Sequence, residues 1–373
     1  KYAAAYRFDS PISSIDFLKV RAALGRSGNR PLFGNRDQVL NNTGRIGGRE
    51  AIGAFATLGN PEVEPERVRE LDFGADGALF GERIGFEATY FNRKVTNLLL
   101  NAPLAPSSGL TQQVFNGGEM ETDGLELALT LNPVRGWRGV DWVSRTTYYT
   151  VDQVIVDLPI PRFALGSTGF GTAFGRVRIA EGVSTTAIWG NAPIGPGGAV
   201  VDTIVGEATP DFEMGFANDF TWRDFALNVL VDWRKGGDVS NLTNTLFDEG
   251  RTSRDYDDPS PDPTVGRTLG EYRYNLWDGG SDARVYVQDG SFVKLREVAL
   301  SYKLPARLSN RLFAGRARDA RISVSGRNLA IWSDYWGPDP EVNNFGNQPV
   351  GRFVDLAPYP PSRSFFFSID VGF

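Results

Sequence analysis

The carboxyl-terminal segment Arg363-Ser364-Phe365-Phe366-Phe367-Ser368-Ile369-Asp370-Val371-Gly372-Phe373 alternates apolar and polar side chains down to its last residue. In an extended chain successive side chains point to opposite faces, so Phe365, Phe367, Ile369, Val371 and Phe373 share one surface while Ser368, Asp370 and Gly372 share the other. Such a face needs lipid or a protein core against it. A final strand that is paired, with its apolar face solvated by acyl chains, suits a transmembrane β-barrel. A soluble sheet is the competing solution.

The same alternation recurs along the chain. Leu18, Val20, Ala22 and Leu24 oppose Lys19 and Arg21; Leu71, Phe73, Ala75 and Leu79 oppose Glu70, Asp72 and Asp76. Ile84, Phe86, Ala88 and Tyr90 face away from Glu87 and Thr89. Leu125, Leu127, Leu129 and Leu131 face away from Glu126, Thr130 and Asn132. Phe212 to Trp222 and Phe225 to Trp233 flank a tight reversal at Arg223-Asp224, and Val298 to Leu304 and Ala320 to Val324 add two more faces. The strand around Trp142 to Val151 is less regular, because Arg145 falls on the face of Val143 and Val151. With the opening segment Tyr2 to Phe8, the pattern predicts roughly eleven strands, many longer than the usual ~5–6 residues.

Connection lengths sharpen the choice. Short ones near 10–15, 80–83, 133–139, 223–224 and 305–318 alternate with long ones near 27–66, 99–116, 154–210, 240–290 and 333–362. Outer-membrane barrels have short periplasmic turns and long outer loops, and Trp222, Trp233 and Phe373 fit interfacial aromatic girdles. An odd strand count leaves first and last strands parallel, so earlier strands are expected to be missing. The amino-terminal Lys1-Tyr2-Ala3-Ala4-Ala5-Tyr6-Arg7-Phe8 has no cleavable leader and reads as the middle of a fold.

Composition removes most chemistry. The 373 residues exceed a usual single core yet show no domain break. With 45 acidic against 39 basic residues there is no electrostatic footprint for nucleic acid. Cysteine and histidine are absent, which excludes disulfides, thiolate catalysis and the usual zinc, copper and haem ligands. An enzyme is not expected, and no cofactor or metal is implied. No run reaches the ~18–20 apolar residues of a membrane helix. The 43 Gly, 22 Pro and 45 aromatic residues instead fit many strands joined by turns.

Several motifs carry a family likeness. Asp289-Gly290-Ser291-Phe292-Val293-Lys294-Leu295-Arg296-Glu297-Val298-Ala299-Leu300-Ser301-Tyr302 resembles the penultimate-hairpin signature of SusC/RagA-like TonB-dependent outer-membrane transporters. Arg321-Ile322-Ser323-Val324-Ser325-Gly326-Arg327-Asn328-Leu329, leading into Tyr335-Trp336-Gly337-Pro338-Asp339-Pro340-Glu341, resembles that family's strand and Tyr-x-Gly-x-Asp-Pro-Glu loop. Phe17 to Arg21 with Gly25, Gly28 and Asn29, Lys94 to Leu99, and Gly124 to Leu127 are similar to its barrel segments. Two departures stand out. Asn116-Gly117-Gly118 replaces the more usual Asn-Ile-Gly, and the acidic turn often found before Asp211 shrinks to Val201-Asp202-Thr203-Ile204-Val205-Gly206, which argues against a cation site there.

The resemblance implies that residues 1–373 are the carboxyl-terminal half of an all-β, antiparallel transmembrane β-barrel: eleven strands of about 22. The plug and TonB-contact segment would lie outside this sequence. It further implies import of a glycan, peptide or other large nutrient, energised by TonB-ExbB-ExbD through the missing amino-terminal part, beneath a SusD-like surface lipoprotein. It also implies that Phe373 is read by the barrel-assembly machinery, in the outer membrane of a Gram-negative, Bacteroidota-like bacterium. A siderophore- or vitamin-type receptor and a soluble carbohydrate-binding β-sandwich remain alternatives.

Loop aromatics are the candidate ligand contacts: Trp189, Tyr256, Tyr272, Tyr274, Trp277, Trp332, Tyr335 and Trp336 could stack on sugars or anchor peptide side chains, or pack loop on loop. The acidic run from Asp248-Glu249 through Asp255, Asp257, Asp258 and Asp262 could hold calcium, but Arg251, Arg254 and the prolines break the spacing of a calcium loop and favour a solvated surface. Gly166-Ser167-Thr168-Gly169-Phe170-Gly171 lacks the strand, helix and lysine of a phosphate loop.

Overall fold

The computed structural model describes residues 2–8, 14–54, 56–164, 176–314, 316–342 and 353–372. Eleven strands form one sheet in chain order. They are β1 (Tyr2–Phe8), β2 (Ile15–Ser27), β3 (Arg67–Leu79), β4 (Ile84–Thr96), β5 (Glu119–Trp137), β6 (Val140–Asp157), β7 (Pro210–Trp222), β8 (Phe225–Gly236), β9 (Phe292–Lys303), β10 (Asp319–Trp332) and β11 (Ser364–Gly372). Every neighbouring pair is antiparallel. Among the described residues β1 pairs only with β2 and β11 only with β10, so this sheet is open at both edges. Phe373 and the glycine-rich 166–171 stretch lie outside the described residues.

The expected segregation of connections is present. Five hairpins close at one end through 9–14, 80–83, 138–139, 223–224 and 304–318, the last holding a short helix, Ala306–Leu312. At the other end the chain departs through 28–66, 97–118, 158–209, 237–291 and 333–363. β5, at 19 residues, is about 60 Å long, so even tilted by ~40° it overtops a ~30 Å hydrocarbon core. The sheet therefore continues above the membrane and carries its loops there.

Register sets which side chains meet lipid. One row runs Val20, Ala75, Ala88, Leu127, Tyr148, Met214, Trp233, Val293, Trp332, each directly opposite the next. The adjacent row, one residue along, runs Lys19, Asp76, Glu87, Ala128, Thr147, Gly215, Asp232, Lys294. A one-residue slip anywhere would exchange the two faces, so burial in lipid fixes the pairing strongly. The polar face is laced with ion pairs: Arg21 Nε to Asp76 at 3.2 Å, Arg93 Nε to Glu70 at 2.6 Å and Arg327 Nε to Glu297 at 2.9 Å.

The irregular strand now has its explanation. Arg145 stands opposite Thr130 and Ala217 on the polar face, and Val143 and Val151 share that face with it. The outward side of β6 carries Trp142, Ser144, Thr146 and Tyr148 instead. Asn218, the polar exception on the outward side of β7, accepts a hydrogen bond from Trp142 Nε1 at 3.1 Å, which satisfies both groups where no water is available.

Aromatic rings bound the apolar band. Trp222, Phe225 and Tyr302 stack at the hairpin end, with centroids 6.1 and 4.5 Å apart. Tyr148, Phe212 and Trp233 cluster at the loop end, at 5.7 and 4.9 Å. From Phe212 to Trp222 a strand spans about 33 Å, or ~25 Å along the membrane normal at ~40° tilt, the height of a barrel's apolar band.

Leu127→Arg is expected to destabilise the membrane-inserted sheet by about 2–4 kcal/mol. Thr130 is a poor lumen-facing control, because an arginine there would meet Arg145 directly opposite. Ala128, whose cross-strand neighbour is Glu87, is the suitable one, and Ala128→Arg should be near neutral. Urea titration of the whole barrel in detergent or lipid measures both; an equal cost at the two positions would contradict the assigned faces.

Candidate functional site

The outer end of the β7–β9 wall carries a cap built from 237–291, 333–342 and 353–355. Its footing is the Asp289-Gly290-Ser291 turn. Asp289 Oδ1 accepts from the Ser291 N–H at 2.8 Å, while Ser291 Oγ accepts from the Gly236 N–H at 2.8 Å. Gly290 is required because a Cβ there would sit 2.2 Å from the Gly237 carbonyl oxygen. The chain then forms a small sheet in which Asp238–Asn241 pairs with Val287–Asp289 and, in parallel, with Val354–Asp355. Helix α1 (Leu242–Glu249) starts at Asn241, whose side chain caps the Asn244 N–H at 2.8 Å; α2 (Leu269–Asp278) starts at Thr268, which caps Glu271 at 3.2 Å.

Arg273 on α2 is the hub between the helices. Its guanidinium donates to Asp248 Oδ2 at 2.9 Å, Asp255 Oδ2 at 2.6 Å and Asn244 Oδ1 at 3.2 Å. Three predicted or neighbouring aromatics complete it: Tyr256 Oη donates to the Asp248 carbonyl at 2.8 Å, Tyr286 Oη to Asp248 Oδ2 at 2.9 Å and Trp336 Nε1 to Asp255 Oδ2 at 3.0 Å. Burial, reinforced by Asp248, raises both tyrosine hydroxyls above their ordinary range, so they stay protonated donors. The acidic run thus divides: Asp248 and Asp255 are committed to Arg273, while Asp257, Asp258 and Asp262 are exposed.

The two family motifs lock to each other. Lys294, 6% exposed at its side chain, donates to Asp339 at 2.7 and 2.8 Å and to Glu341 Oε2 at 2.5 Å. Arg296 holds Glu341 Oε1 at 2.8 Å and Asp232 Oδ2 at 2.6 Å. Burial alone would raise the Glu341 carboxyl, but the hydrogen bonds from Arg296 and Lys294 outweigh it and bring it to about 2. Deeper in the cap Asp355, 1% exposed, receives Tyr335 Oη at 2.6 Å and the Thr243 hydroxyl; burial raises its carboxyl despite these donors. Below Glu341 a cavity of about 290 Å³ opens on the concave face, lined by Tyr149, Glu213, Asp232, Phe292 and Arg296.

The remaining candidates are dispersed. Tyr272, Tyr274 and Trp277 are half-buried on α2, with Trp277 against Tyr274 and edge-on to Tyr286. Tyr335 is buried. Trp189 belongs to a separate four-stranded loop sheet, buried beneath Arg162 and Arg178, both paired with Asp202. Trp332 is exposed at the outward end of β10. Sequence reading overlooked Lys294, Arg296, Asp339 and Glu341 as partners, although the opposite charges of the two quoted motifs were the available signal. In the Asn116-Gly117-Gly118 segment, Asn116, which the usual Asn-Ile-Gly shares, accepts at Oδ1 from the Glu64 N–H at 2.7 Å and donates from Nδ2 to the Glu64 carbonyl at 2.8 Å, tying two outer loops together.

The model of the TonB dependent receptor-like β-barrel family matches residues 1–329. The chain belongs to the TonB-dependent receptor family. Two relatives from Formosa agariphila, TonB-dependent receptors P3 and P26, are 27% and 25% identical over 97% and 95% of this chain. The chain spans 40% of the length of each. Among solved structures it is similar to the RagAB peptide transporter, with a TM-score of 0.76 at 19% identity, covering 99% of this chain and 42% of that one. The "open-open" state of the RagAB importer gives a TM-score of 0.73, also at 19% identity, covering 100% of this chain and 42% of that one. The shared fold agrees with the SusC/RagA resemblance of the motifs, and membership of the TonB-dependent receptor β-barrel family places this segment in the outer membrane.

A carboxyl lowered by folding stabilises the docked loop fully above its ordinary pKa of 4.5, and that contribution is lost as pH falls toward 2; Asp355, raised by folding, acts in the opposite sense above 3.8. Pepsin should therefore leave 333–342 intact at pH 5 and cut it increasingly toward pH 2, with a weaker pH dependence in Glu341→Gln. Lys294→Met should free the loop at both pH values, since removing one member of a buried pair costs about 3–5 kcal/mol. Cleavage independent of pH in the wild type would contradict the docking.

Proposed function

We propose that this chain is the carboxyl-terminal half of a barrel of about 22 strands that imports peptides or similar large nutrients across the outer membrane. The observation that carries the reading is the open, lipid-faced sheet of eleven strands in chain order, with the fold of the RagAB peptide transporter. Unpaired edge strands cost several kcal/mol per backbone group in hydrocarbon, so β1 and β11 need further strands between them. Eleven more would restore an even count and antiparallel closure. Import would be energised by TonB-ExbB-ExbD through the part of the protein outside this chain, with a SusD-like lipoprotein over the loop end and Phe373 serving recognition by the assembly machinery.

In this reading the cap faces the incoming nutrient. Tyr256, Tyr272, Tyr274, Trp277 and Trp336 keep partly exposed rings there and would contact it, while Trp189 and Tyr335, being buried, would hold the loops in shape. Uptake of a labelled peptide mixture by cells carrying the whole transporter tests the proposal. Accumulation should require both this protein and TonB; accumulation undiminished without TonB, or uptake of oligosaccharide with no uptake of peptide, would overturn it.

A further inference from the structure

On β2, β3 and β4 the outward side of the sheet changes character where it leaves the membrane. Leu79 and Ile84 stand directly opposite each other at the hairpin end, and Arg69 and Lys94 stand directly opposite each other toward the loops. From Leu79 to Arg69, and from Ile84 to Lys94, the strand spans about 33 Å, or ~25 Å along the membrane normal at ~40° tilt, so both cations sit at the upper edge of the apolar band. Arg26 of β2 is directly opposite Arg69 on its other side. Register thus sets three basic side chains abreast on the outward face. At the matching height above Trp222, β7 carries Phe212, edge-on to Trp233.

Like charges directly opposite each other on a sheet repel, and an anion placed between them removes the cost. Lys94 has its anions on β5, where Glu119 and Glu121 both pair with it, the second at 3.5 Å. Arg67, two residues further out, is paired with Glu64 at 3.3 Å. Arg26 and Arg69 are exposed and have no acidic partner among the described residues. Asp123 and Asp152, opposite each other on β5 and β6, lie two and three strands from β3 and one row nearer the membrane.

This face is turned away from the barrel interior, so a plug inside the barrel does not reach it. The cross-strand neighbours of Arg69 are Arg26 and Lys94, both on this chain. The prolongation of β1, outside this chain, passes beside Arg26 and lies two strands from Arg69. Toward the membrane the two arginines are followed by Leu24 opposite Leu71, and then by Phe73 opposite Tyr90, both exposed.

We propose that Arg26 and Arg69, flanked by Lys94, seat the phosphate headgroup of an outer-leaflet lipid whose acyl chains run down over Leu24, Leu71, Phe73 and Tyr90. Two guanidinium groups above exposed aliphatic and aromatic surface match a molecule that is anionic at one end and apolar at the other. Guanidinium groups take phosphate oxygens in paired hydrogen bonds, and the phosphate offsets the repulsion between them. The apolar part of the seat continues into the lipid-facing rows of the sheet, which makes a membrane lipid the occupant. The inference depends on the assigned faces and is independent of what the transporter imports.

The test uses the whole transporter, purified in a neutral detergent and freed of lipid, with bisphosphorylated lipid A as the probe and the same lipid stripped of phosphate as the control. Native mass spectrometry reads the bound fraction. Wild-type protein should prefer the phosphorylated form by about 25-fold, and Arg69→Gln and Arg26→Gln should each lower that preference about fivefold, because a basic residue at a membrane surface contributes about that factor. Arg307→Gln, on the helix at the hairpin end, should leave it unchanged. Heat-modifiable migration like that of the wild type shows each variant folded. Equal binding of the two lipids by the wild type, a preference unchanged in Arg69→Gln, or one lowered as much by Arg307→Gln would each overturn the seat. Displacement of the lipid by inorganic phosphate at constant ionic strength would show a site for a free anion and overturn the lipid assignment.

Discussion

Everything in this molecule follows from the cost of an unpaired backbone group in hydrocarbon. Each N–H and C=O at membrane depth must find a partner within the protein, which leaves a strand no choice but to pair along its length with a neighbour. Ten antiparallel pairings in chain order meet that demand, with the shorter connections all at one end. Pairing in turn fixes the side-chain rows. Because the period is two, one row is committed to acyl chains and the other to the interior, and polar exceptions such as Asn218 must be satisfied laterally, as Trp142 does.

Freed from lipid at the loop end, the chain uses charge to hold its cap. The Lys294, Arg296, Asp339 and Glu341 cluster joins two segments more than forty residues apart at the rim of the sheet, and the Asp248, Arg273 and Asp255 cluster joins two helices above it. Both are only partly open to water, so each ion has hydrogen-bonding partners that offset its desolvation. The cap is thereby held against the wall as a defined surface.

The sheet was readable from sequence because its signal is local. Alternation at Leu125 to Leu131 or Phe225 to Trp233 assigns a face residue by residue, and the segregation of long from short connections follows once the strands are placed. β6 resisted because its outward side uses Ser144 and Thr146, which give no apolar contrast with Arg145 and Val143. The cap was far less legible. Tyr256 and Trp336 look like exposed ligand-stacking rings until Arg273 gathers Asp248 and Asp255 and turns their polar atoms into donors. Nor could spacing along the chain show that Asp355 lies beside Thr243 and Tyr335.

The central claim is the assignment of faces, and spin labels placed singly at 125–131 of β5 in the whole protein, reconstituted in bilayers, test it most directly. Collisional accessibility to oxygen, which partitions into lipid, should peak at Leu125, Leu127, Leu129 and Leu131, while accessibility to a polar nickel complex should be higher at Glu126, Ala128 and Thr130. A profile without this period of two, or one with the peaks exchanged, would contradict the account.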